Sequence, residues 1–131
     1  MIDFISAEFS NICKKAIEKF SNNLQTPKED VTFTFNLNEN NEVSYRLFKD
    51  FKFEKELTFM EILGVRIDFK GYSMLVPPFI QKSLIGFCDE YKIQPNKVNV
   101  MVLLVQEKIC LVLFNDTEQV KQIKLDDLLK T

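Results

Sequence analysis

The chain has 131 residues, 46% of them hydrophobic, with no His, no Trp and only three Gly. Its 17 basic and 19 acidic side chains leave a formal net charge of -2, which gives no general attraction to a nucleic-acid backbone. The usual acid–base side chain near neutral pH is missing, and three dispersed glycines do not make a phosphate-cradling loop.

The length is that of one domain spanning 1–131, long enough to bury a core without disulfides or metal. An amphipathic helix is expected first. Ile5, Phe9, Ile12, Cys13, Ala16, Ile17, Phe20 and Leu24 recur at intervals of three and four, with Lys14 and Glu18 placed to pair on the other side. Ser21-Asn22-Asn23 reads as its fraying end, and Thr26-Pro27 as a turn. Val31, Phe33 and Phe35 alternate with Thr32, Thr34 and Asn36, the pattern of a half-buried strand; Val43, Tyr45 and Leu47 repeat it beyond a polar hairpin tip. The phase slips at Lys49-Asp50, through either a bulge or a tight turn, before Phe51, Phe53 and Leu57 resume alternation.

Thr58 and Glu61 have capping-box spacing, and Gly64 suits the end of the short helix they start. Val65, Ile67 and Phe69, then Tyr72, Met74 and Val76, alternate as strands, after which Pro77-Pro78 is expected to open a second long helix. That helix carries Ile80, Leu84, Phe87, Cys88 and Tyr91 on its apolar stripe, with Gly86 suggesting a close backbone approach. The segments 98–105 and 109–114 are apolar at successive positions, as in central strands covered on both sides. Val120, Ile123 and Leu125 fit an edge strand, and Asp126-Asp127 the first turn of a short terminal helix.

The fold class expected is α+β: a mixed, mainly antiparallel sheet packed with an N-terminal helix, a central helix and a short C-terminal helix. No period of repetition is evident in the sequence. The order of elements resembles that of several unrelated groups, among them small acidic secretion-chaperone dimers and profilin-like adaptor domains, a likeness of architecture from which no function follows. The two long helices lie either on opposite faces of the sheet or together on one face, leaving the other for a partner.

The chemistry-bearing patterns are sparse. Cys13, Cys88 and Cys110 form no metal-binding spacing and read as reduced core residues. Asp89 and Glu90 beside Cys88 oppose a reactive thiolate. Asp68, flanked by Arg66 and Lys70, fits a surface charge ladder. The stretch from Tyr45 to Lys55 interleaves aromatic and basic residues, as a single-strand nucleic-acid module does, but acids interrupt it and a nucleic-acid partner is disfavoured. No signal peptide and no apolar run long enough for membrane insertion is evident, so a cytoplasmic protein is expected. No cofactor, metal or catalytic residue is assigned.

The functional reading is a noncatalytic protein-interaction domain, an adaptor, chaperone or assembly subunit, with a protein partner or a homodimer. Its interface is placed at Phe48, Lys49, Phe51, Lys52 and Phe53, where the phase slip meets a cluster of aromatics rimmed by lysines. The alternative is a small-molecule-binding or carboxylate-dependent enzymatic domain with a pocket at Tyr45, Arg46, Asp68, Lys82 and Tyr91.

Overall fold

The computed structural model describes residues 2–64 and 70–129, and the side chains of 7–64 and 76–129. Helix α1 (Ile2–Leu24) runs through Ser21, whose hydroxyl donates to the Glu18 carbonyl at 3.0 Å, so the expected fraying does not occur. After one 3-10 turn at Lys28–Asp30 come β1 (Val31–Leu37), β2 (Val43–Lys49) and β3 (Lys52–Leu57). Helix α2 (Phe59–Leu63) starts with the capping box read from the sequence: Glu61 N–H donates to Thr58 Oγ1 at 3.1 Å, and Thr58 N–H donates to Glu61 Oε1 at 3.0 Å. Gly64, at φ 85°, ends it.

Helix α3 (Lys70–Tyr91) corrects two expectations, because residues 72–76 are helical and Pro77-Pro78 lie inside the helix. The alternation of Tyr72, Met74 and Val76 misled because Val76 also stands four residues before Ile80, which stands four before Leu84, and all three are buried. The prolines leave the helix two N–H donors short. The expected strand at 65–69, with Arg66 and Asp68, lies outside the described residues. Strands β4 (Val98–Val105), β5 (Lys108–Asn115) and β6 (Glu118–Ile123) and helix α4 (Leu125–Leu128) complete the chain.

The six strands form one antiparallel sheet in the order β3-β2-β1-β4-β5-β6, so the protein is α+β. Phe9 and Phe20 of α1 pack on Phe35 and Phe33 of β1, with ring centroids 6.3 and 6.4 Å apart. Val76, Ile80, Leu84 and Phe87 of α3 join the same buried cluster, which includes Val100 and Val102 of β4. Ser83 of α3 donates to the Leu128 carbonyl of α4, and α1 and α3 both contact α4. Both long helices therefore lie on one face of the sheet. Among the described residues the other face carries none, and β4 and β5 are covered there on one side rather than two: β4 alternates buried and half-buried residues. β1 departs in the opposite direction, with all seven residues buried, because Thr32 and Thr34 sit low between the longer side chains of β2 and β4.

The chain is built twice, a repetition not evident in the sequence. The series α1-β1-β2-β3-α2 corresponds to α3-β4-β5-β6-α4, with β1 beside β4 at the centre. Gln25 (φ 53°) and Lys92 (φ 55°) follow the two long helices. Thr26 N–H donates to the Ser21 carbonyl at 3.1 Å, and Ile93 N–H to the Cys88 carbonyl at 3.0 Å. Asp50 N–H donates to the Asp30 carbonyl at 2.7 Å, and Asp116 N–H to the Lys97 carbonyl at 2.8 Å. Register shifts fall between Leu47 and Phe48 and between Leu113 and Phe114, so the expected phase slip contains both a bulge and the following two-residue turn. The buried pairs Ile17 and Leu84, Phe20 and Phe87, Leu57 and Ile123, and Ile62 and Leu128 correspond between halves. Likeness of sequence survives in Leu47-Phe48-Lys49-Asp50 against Leu113-Phe114-Asn115-Asp116, and at Lys55, Leu57, Glu61, Ile62 and Leu63 against Lys121, Ile123, Asp127, Leu128 and Leu129.

Candidate functional site

Alternation along each strand decides what the helix-free face presents. Register places Glu56, Arg46, Thr34, Met101, Val112 and Gln122 in one row across all six strands. On one side of it lie Phe53, Phe48 and Thr32, and farther along the sheet Leu103 and Cys110. On the other side lie Ser44, Asn36, Asn99, Phe114 and Gln119. Thr34 donates to Asn36 Oδ1 at 2.7 Å, and the Asn36 amide donates to Asn99 Oδ1 at 3.0 Å, so the polar centre is partly satisfied within itself. Arg46 Nε and Glu56 Oε1 are 3.3 Å apart and cancel each other's charge. The rest of those rows is uncharged, and Met101, Leu103, Val112 and Phe114 are each half-buried.

The sequence-derived interface adjoins this face. Phe48 and Phe53 meet edge to face, with centroids 5.9 Å apart and planes at 73°, and Phe53 is 55% exposed. Lys49 and Lys52 pair in register at the end of the hairpin. Asp50 (φ 52°) and Phe51 (φ 62°) form its tip, and Phe51 is 69% exposed. A left-handed conformation suits Gly or Asn and disfavours a large L side chain. Phe51→Gly is therefore expected to raise stability by about 0.5–1 kcal/mol, read as a higher urea midpoint. A lower midpoint would mean that the ring packs on the protein.

The alternative pocket is not assembled. Tyr45 is buried on the helical side among Phe35 and Phe59, and burial pushes its hydroxyl pKa up. Arg46 faces the other side of the sheet. Asp68 lies outside the described residues. Lys82 and Tyr91 do line a common cleft of about 420 Å³ along α3, with Gly86, Phe87, Glu90, Lys121 and Asp127. Of the four expected residues that are described, Lys82 and Tyr91 thus come together. The expected close approach at Gly86 is absent, since nothing among the described atoms lies within 4 Å of a Cβ placed there.

A corresponding cleft of about 310 Å³ runs along α1, lined by Lys19, Phe20, Asn23, Leu24, Lys55 and Glu61 among others. Lys55 Nζ lies 3.2 Å from Glu61 Oε2. The Thr58 N–H and this lysine hold the Glu61 carboxyl below its usual range. The expected Lys14–Glu18 pair gives way to a longer-range one, with Lys14 Nζ 3.8 Å from Glu107.

Cys13 and Cys88 are buried and Cys110 half-buried, all three free. Burial, and then the Asp89 charge, raise the Cys88 pKa, so its thiolate is disfavoured for both reasons. Among the described residues no three His, Cys, Asp or Glu side chains converge as metal ligands, and no helix is long and apolar enough to cross a membrane. No family model, curated protein or solved structure matches this chain.

Proposed function

We propose that this chain is a noncatalytic protein-interaction domain whose helix-free sheet face packs against the same face of a second copy. The observation that carries the reading is that face: six strands wide, apolar or neutral in its central rows, with Arg46 there paired to Glu56 and Lys108 at the far end of β5. Six strands about 4.8 Å apart and seven residues long cover roughly 650 Å² in projection, close to the ~800 Å² each partner contributes to a stable interface. A neutral face selects no oppositely charged partner, and two copies of it meet without like-charge repulsion. Sheets packed in this way form a sandwich about 10 Å thick. The free cysteines fit a reducing compartment such as the cytoplasm.

Met101 stands in the middle row, between Thr34 and Val112. Sedimentation equilibrium is expected to give twice the 15.4 kDa chain mass for the native protein. Met101→Lys is expected to give the single-chain mass with an unchanged far-UV spectrum, since a buried unpaired ammonium opposes sheet stacking but is solvated in the monomer. Peroxide oxidation adds a second readout: Met101, half-buried in the single chain, is expected to react more slowly in the dimer than after dilution to the monomer, while Met60, 50% exposed, reacts alike in both. A native monomer, or a Met101→Lys dimer, would overturn the proposal.

A further inference from the structure

The internal duplication allows one cleft to be read against the other. In the N-terminal half, Lys19 extends from α1 into its cleft, where Nζ donates to the Glu61 carbonyl and lies 5.0 Å from the centroid of the Phe20 ring. The corresponding position in α3 is Gly86, with Phe87 in place of Phe20 and Asp127 in place of Glu61. Two carboxylates line each cleft, Glu54 and Glu61 in the first and Glu90 and Asp127 in the second, where Glu90 takes the place of Asn23; Tyr91 replaces Leu24, adding a second aromatic surface.

We infer that the Gly86 cleft binds a protonated primary amine on an alkyl stem, the chemistry of a lysine side chain or of a free alkylamine. The N-terminal half shows the arrangement such a group adopts: the ammonium meets a backbone carbonyl of the short helix, and an aromatic ring lies beside it. Two ammonium groups share the first cleft, Lys19 and Lys55, the latter 3.2 Å from Glu61, and Lys121 takes the Lys55 position in the second. Lys121 lies 5.8 Å from the Tyr91 ring centroid, and its charged neighbours are Asp127 and Glu90. Lys82, also in the lining, is exposed and faces water.

The test is a ¹⁵N-edited NMR titration of the full chain at fixed ionic strength, with n-butylammonium and with Nα-acetyl-lysine-N-methylamide as separate probes. Saturable shifts at Gly86, Glu90, Tyr91 and Lys121 are expected at about 1–50 mM, the range of a single small contact site. Tighter binding of the acetyl-lysine amide would identify a peptide lysine as the ligand, and tighter binding of butylammonium a free amine. Gly86→Lys fills the site as Lys19 does and gains helix propensity, so it is expected to fold and to weaken both probes at least about tenfold. Absence of saturation, shifts that persist in Gly86→Lys, or the same shifts produced by inorganic phosphate would each overturn the inference.

Discussion

Phe35→Ala is expected to be among the most damaging single substitutions in this protein. Phe35 is fully buried in β1, one of the two middle strands, with ring centroids 6.3 Å from Phe9, 5.7 Å from Phe33 and 5.7 Å from Tyr45. These rings come from α1, β1 and β2, so a cavity there removes contacts from three elements together. Truncating a buried phenyl costs about 3–5 kcal/mol, against a total of about 5–15 kcal/mol for an ordinary domain. The urea midpoint should fall accordingly, and the thermal midpoint by on the order of 10–20 °C. Phe53→Ala provides the internal comparison: its ring is 55% exposed, and its loss should cost under about 1 kcal/mol. Equal losses at the two positions would contradict the division of the sheet into a helix-covered face and an open one.

Much of the fold was legible because local chemistry decides it. The capping box of Thr58 and Glu61, the hairpins and the central place of 98–105 follow from spacing and composition. The side of the sheet on which a helix lies is not a local property. Met101, Leu103 and Val112 read as doubly covered because they are apolar, yet they face away from both helices. That discrepancy locates the candidate surface. The segment Phe48–Phe53 was legible through its phase slip, which marks a real register shift. The Tyr45–Arg46 pocket was not, because adjacent strand residues point to opposite faces. Duplication escaped the sequence because the halves retain burial and turn geometry while changing identity, as where Ile17 corresponds to Leu84.

Two copies of one motif raise the question of whether they unfold together, and paired substitutions answer it. Ile17 of α1 and Leu84 of α3 are both fully buried and belong to one continuous core cluster. The sheet also crosses from one half to the other through the pairing of β1 with β4, where Phe33 faces Val102 and Phe35 faces Val100. Neither half can expose its core without uncovering the other. Ile17→Ala and Leu84→Ala are each expected to cost about 2–5 kcal/mol and to shift one shared unfolding transition to lower denaturant. Near-ultraviolet and far-ultraviolet signals should give coincident curves in both variants. A biphasic curve in which Leu84→Ala moves only one step would show that α3-β4-β5-β6-α4 unfolds by itself. The β1–β4 pairing would then join two independently stable halves instead of closing a single cooperative core.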